Sequence, residues 1–165
     1  MRKFAKIRLI KKTKLKDDLE LIKLGVEPLK KDFNLEFFEK TIKSKPKRNI
    51  KVLIMDQGSI VGVGNIYASE ALFQAEINPN RSAGSLNKKE IKDLYQAIVE
   101  ILKKAIEMRG TTDADYRDAS GAPGGFQDLL KVYNREGNKC FECGEIIKKN
   151  KIGQRGTYWC DECQK

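Results

Sequence analysis

Histidine is absent from the 165 residues, which removes imidazole as a general acid or base and as a metal ligand. Proline is scarce, with four in all and none before Pro28. No stretch reaches the roughly 18 consecutive apolar residues of a membrane span. The basic start MRKFAKIRLIKKTKLK has no apolar region of the kind a signal peptide carries. A cytoplasmic chain without a membrane partner is therefore expected. Internal repeats are lacking, and cysteine is confined to residues 140–165.

What is present is positive charge. Lys and Arg outnumber Asp and Glu by 33 to 23, giving a net charge of +10 and a field that favours a polyanionic partner. A lysine-rich solvated surface is the plainer explanation of the same numbers. With 40% apolar and 34% charged residues, the chain can bury one sizeable core or two small ones.

The cysteines read Cys140-x2-Cys143, sixteen intervening residues, then Cys160-x2-Cys163. Each pair turns two sulfurs toward one ion, and a hairpin across the gap brings the pairs together, which suits one structural Zn2+ in a tetrahedral all-thiolate site. Two disulfides or a redox dithiol are the alternatives. A reducing compartment and the duplicated spacing favour the metal.

Along the chain, residues 2–12 alternate loosely and read as a strand, which needs a partner strand to be stable. DDLELIKLGVEPL reads as a short helical turn ending at Gly25 and Pro28. Asn34 caps a helix LEFFEKTIKS, and IKVLIMDQ reads as a short apolar helix ending near Gly58. A further helix runs to about Ala75. Asn87, with Glu90 as its capping-box partner, opens the longest helix, whose apolar stripe of Ile91, Leu94, Ile98, Ile101, Leu102 and Ala105 extends toward Gly110. Residues 111–130 are rich in Thr, Asp, Ser and Gly and read as a long functional loop.

Between two of these helices lies GVGNIYASEALF, residues 62–73. Glycine turns leave the backbone N–H groups of a helix N-terminus approachable, and such a terminus is a ready anion site. Gly64 presents the backbone there and Asn65 adds an amide donor, so a nucleic-acid phosphate is the expected ligand. An Asn that only caps the helix is the alternative.

Several segments together resemble the C-terminal part of bacterial formamidopyrimidine-DNA glycosylase. They are LGVEPL at 24–29, LIMDQGSIVGVGNIYASEALF at 53–73, RGTT at 109–112, and the ending with CFECG and QRGTYWCDECQK. The resemblance implies a mainly α fold, a helix-two-turns-helix bundle followed by a small β-hairpin zinc finger. Its expected divisions are 1–14 as the remainder of an N-terminal sandwich and linker, 15–132 as the helical DNA-binding domain, and 133–165 as the finger. It also implies a monomer bound to double-stranded DNA containing an oxidised purine or an abasic site. By it, Asn65 and Arg155 grip phosphates beside the damaged nucleotide, Lys51 lies near the lesion, and Arg2 and Phe4 enter the duplex where the base is everted. Residues 111–126 resemble a mobile loop over that base.

In that family the nucleophile is an N-terminal proline amine followed by a catalytic glutamate, and neither has a counterpart in this sequence. The DNA-gripping half without the chemistry is the expectation, so no catalytic residue is assigned. The alternatives are full glycosylase and abasic-site lyase activity when a separate N-terminal domain complements the chain, or a non-enzymatic zinc-dependent nucleic-acid adaptor.

Overall fold

The computed structural model describes residues 9–18, 21–112 and 121–165. Asn34 accepts a hydrogen bond from Phe37 N at 2.9 Å and so opens α1, Leu35–Ser44. Asn49 does the same for Val52 N at 3.1 Å, opening α2, Ile50–Ile54. The two-turn segment follows, then α3, Asn65–Gln74. The capping box of Asn87 and Glu90 starts α4, Lys88–Glu107, with both reciprocal bonds made, at 2.9 and 2.7 Å.

The stripe read from the sequence lies inward. Ile91, Leu94, Ile98 and Ala105 are buried, and Ile101 and Leu102 pack half-buried beside them. They meet Ala68, Ala71 and Leu72 of α3 and Phe38 and Ile42 of α1, while Phe33 stacks on Tyr95 with ring centroids 5.3 Å apart. Leu94 is fully buried among them, so Leu94→Ala is expected to lower stability by about 2–5 kcal/mol in a thermal or urea titration.

A second, smaller core joins Phe73, at the far end of α3, to Val132, Ile147, Tyr158, Cys140 and Cys160. It is covered by an antiparallel hairpin of β1, Lys148–Ile152, and β2, Arg155–Trp159, whose register pairs Ile152 with Arg155 across a two-residue turn. One helix thus contributes to both cores. Among the described residues no helix is long and apolar enough to cross a membrane.

Three sequence readings are met only in part. The α2 helix stops at Ile54 rather than near Gly58, because Asp56 accepts from Gly58 N and Ser59 Oγ and Gln57 donates to Val63 O, both side chains serving the loop that follows. Near the start a 3-10 turn forms over Lys12–Asp17. Of the helical turn read over 17–29, residues 19–20 lie outside the described residues, while Asp18 O accepts from Ile22 N and Leu21 O from Leu24 N, and the turning stops before Gly25. There, Gly25 N bonds to Gln57 O and Val26 forms a bridge with Ile60, so the chain runs extended along the two-turn segment. Of the expected strand 2–12, residues 1–8 lie outside the described residues, and 9–11 belong to no element.

Candidate nucleic-acid interface

The loop between α2 and α3 is held by side chains from within it. Gln57 Nε2 donates to Met55 O and Val63 O, both at 3.1 Å, and its Oε1 accepts from Gly62 N at 2.8 Å. Asp56 accepts from Lys45 at 3.1 Å, Arg48 at 2.7 Å and Ser59 at 3.0 Å. Burial alone would raise its pKa, but the hydrogen bonds from Lys45, Ser59 and Gly58 N and the charge of Arg48 hold it down to about 2.

At the end of that loop Gly64 is the N-cap of α3 and supplies no side-chain cap. Its backbone is extended, with φ −99°, and a Cβ built on it would meet nothing within 4 Å. Neither conformation nor internal packing requires a glycine there. A side chain would cover the exposed α3 N–H groups, and its absence leaves them open to close approach.

Asn65 does not cap the helix. Its Nδ2 donates to Gly156 O at 3.0 Å, across 91 positions of sequence, and its Oδ1 is buried without a partner. Lys51 reaches the same carbonyl at 3.2 Å and Thr157 Oγ1 at 2.8 Å. The hairpin carrying Arg155 is thereby laid against the N-terminus of α3. Its tip is also in direct contact with α2, since a Cβ at Gly153 would lie 2.9 Å from Val52 Cγ2. Arg155 itself is exposed, and its guanidinium makes no hydrogen bond or ion pair among the described residues.

The four cysteine sulfurs lie within 4.8 Å of one another, with Cys140 to Cys163 at 3.9 Å and Cys143 to Cys160 at 3.4 Å. Zn–S bonds of about 2.3 Å in a tetrahedron require S···S separations of about 3.8 Å, so the donor set fits one zinc ion. Burial and the neighbouring thiols push Cys160 and Cys163 up. Burial also works to raise Cys140, but the N–H groups of Cys143 and Glu142 together with the thiols of Cys160 and Cys163 outweigh it and bring the thiol down.

Of the residues expected at the site, Asn65, next to Gly64, bonds the backbone of Gly156, the neighbour of Arg155, and the four cysteines form one cluster. Lys51 stands behind the cradle at 1% exposure. Arg2 and Phe4 lie outside the described residues, as do 113–120 of the expected loop. Both ends of that loop are fastened: Gly124 N donates to Thr112 Oγ1 at 2.9 Å and Tyr67 shares a hydrogen bond with Thr111 at 3.1 Å.

Sequence reasoning missed Gln57 and Glu70. Glu70 is 2% exposed and its carboxylate accepts from Lys131, Val132 and Tyr133 N at 2.8, 3.1 and 2.8 Å, which anchors the segment entering the finger. Burial raises its pKa against the pull of those three donors. An acid set among Ala71, Leu72 and Phe73 was its visible signal.

The family described as formamidopyrimidine-DNA glycosylase H2TH domain matches residues 24–116, and a zinc finger found in Fpg and isoleucyl-tRNA synthetase matches 137–165. A formamidopyrimidine-DNA glycosylase of Pelotomaculum thermopropionicum is 49% identical over 100% of this chain and 59% of its own length. One from Aliivibrio fischeri is 48% identical over 87% of this chain and 53% of its own. The chain therefore spans little more than half the length of these relatives. Among solved structures, the MutM (Fpg) protein of Thermus thermophilus superposes with a TM-score of 0.83 at 44% identity, covering 87% of this chain and 55% of that one. The Lactococcus lactis Fpg complexed with abasic-site DNA gives 0.85 at 35% identity, covering 94% of this chain and 56% of that one.

Proposed function

The chain belongs to the formamidopyrimidine-DNA glycosylase H2TH domain family, and we propose on that footing that these 165 residues are a DNA-gripping module of base-excision repair. The module holds the backbone of duplex DNA carrying an oxidised purine or an abasic site. One observation carries this reading: the open helix N-terminus at Gly64 and the amide of Asn65 are joined through the Gly156 carbonyl to the strand that carries Arg155, whose exposed guanidinium is unpaired among the described residues. Backbone N–H groups, an amide and a guanidinium are three kinds of donor suited to holding one phosphate. The abasic-site and 8-oxo-G DNA bound by similar solved proteins support the class of ligand.

The second Nδ2 hydrogen of Asn65 is directed to the phosphate while the first stays on Gly156. Arg155 supplies the opposing charge. Arg2 and Phe4, by the resemblance, fill the space left by an everted base, offsetting the few kcal/mol of unstacking. A cytoplasmic setting provides both DNA and reduced thiols for the finger. The cradle offers donors and no nucleophile, so gripping without base release is proposed for these residues alone. Glycosylase and lyase chemistry is proposed only for a protein that also carries a catalytic N-terminal domain.

The test is fluorescence anisotropy with a duplex containing an abasic-site analogue. Gly64→Ala should cost no more than about 1 kcal/mol of stability, since it loses a good N-cap residue but its Cβ meets nothing, and yet weaken binding at least several-fold. Arg155→Ala should cost about 1.5–3 kcal/mol of binding, the usual worth of a hydrogen bond to a charged group. Unaltered affinity in both variants would remove the cradle from the account.

A further inference from the structure

Lys51 is used by no step above, although it is one of the largest fully buried side chains in the protein. Its amine meets a carbonyl and a hydroxyl, Gly156 O at 3.2 Å and Thr157 Oγ1 at 2.8 Å, both on β2. The ionisable groups on the elements around it are Arg155 and Tyr158 on β2, Lys148, Lys149 and Lys151 on β1, Tyr67 and Glu70 on α3, and Asp56 after α2. Glu70 is held by the N–H groups of 131–133, and Asp56 by Lys45 and Arg48. Among the described residues, no carboxylate serves Lys51 as a counter-ion. A buried ammonium with neutral acceptors only is an unfavourable arrangement, and a methionine would fill the same space without that penalty.

The missing negative charge has a natural source. The carbonyl that Lys51 holds is the one Asn65 holds, and Asn65 faces the cradle. We propose that Lys51 is a positioning residue that straps the Arg155 hairpin to the N-terminus of α3 from behind and takes up a proton when a phosphate is bound in front. This rests on the phosphate-gripping reading above.

The proton linkage has a definite sign. Burial lowers the Lys51 pKa to about 8 in the free protein, and an adjacent anion favours the charged form and raises it again. The bound state then holds more protons than the free state, so affinity falls as pH rises through and above about 8. If binding restores the ordinary value, the fall is roughly fivefold between about pH 8 and about pH 9, and below about pH 7 the contribution is complete and no longer varies with pH.

The experiment is titration calorimetry of the zinc-loaded chain with an abasic-analogue duplex, in two buffers of different ionisation heat. At about pH 8 the wild type should take up about half a proton per complex. Lys51→Met should abolish the uptake and weaken binding about tenfold to a hundredfold at about pH 8, and Lys51→Arg should restore affinity without restoring pH dependence. Zinc content and unfolding midpoint establish that each variant is folded. Should neither fold, NMR of the wild type labelled at the lysine ε-carbons replaces them: one amine should titrate near 8 and move up by a unit or more with DNA. No uptake, uptake that persists in Lys51→Met, or no lysine titrating near 8 would overturn the proposal. If Gly64→Ala and Arg155→Ala bind normally, the phosphate reading fails and takes this inference with it. If they weaken binding while proton uptake is absent, the strap alone is wrong.

Discussion

Stripping zinc from the finger is expected to unfold residues 137–165, leave the helical bundle folded, and lower duplex affinity by about tenfold to a hundredfold. The finger has little else to hold it. Its core is Ile147 and Tyr158 with Val132 before it and Phe73 from α3, and two of the remaining buried members are the ligands Cys140 and Cys160 themselves. A lone two-stranded hairpin is marginal in water, whereas structural zinc supplies apparent binding free energies of about 10–16 kcal/mol. The bundle has a separate core around Leu94 and Phe38 that contains no finger residue, so its helical signal should persist. The loss of affinity follows from the hairpin: without it the charge of Arg155 is gone from the cradle, and a bond to a charged group is worth about 1.5–3 kcal/mol. Cys143→Ser is the cleanest form of the test, because Cys143 is exposed and its replacement removes a ligand without removing packing. A Cys143→Ser variant that lacks zinc and binds DNA normally would contradict the finger's proposed role.

The second large effect is that of salt. Phosphate gripping releases condensed counterions, so log K should fall linearly with log salt at a slope of about −0.9 for each phosphate neutralised. For three contacts a fourfold rise in salt weakens binding about fortyfold. The net charge of +10 makes such a response unavoidable if DNA is the partner. Intact duplexes of unrelated sequence should then bind alike, because phosphates carry no sequence information. Salt-independent affinity, or strong preference for one intact sequence, would argue for a different surface.

The zinc cluster was legible in full, since Cys-x-x-Cys spacing encodes its own geometry. The helices α1 and α4 were also readable, because Asn34 and the Asn87 and Glu90 pair are local signals that cap geometry fulfils within three residues. Asn65 was readable as a special position, but its partner was not: Gly156 lies 91 residues away, and docking, not periodicity, brings the two together. Lys51 illustrates the same limit. The resemblance places it near the lesion, but nothing local in IKVLIM shows that the hairpin folding over α2 buries it. The premature end of α2 depends on Asp56 and Gln57 preferring loop partners to helical ones, a competition that local propensity does not reveal.

The central claim is that Asn65 and Arg155, carried by different cores, act on one phosphate. A double-mutant cycle measures this directly, with abasic-duplex affinity determined for the wild type, Asn65→Ala, Arg155→Ala and the double variant, all zinc-loaded. Two groups on one ligand atom cluster should couple by about 1 kcal/mol or more, so the double variant should bind less weakly than the sum of the single losses implies. Strictly additive losses would place the two side chains on separate phosphates and contradict the claim.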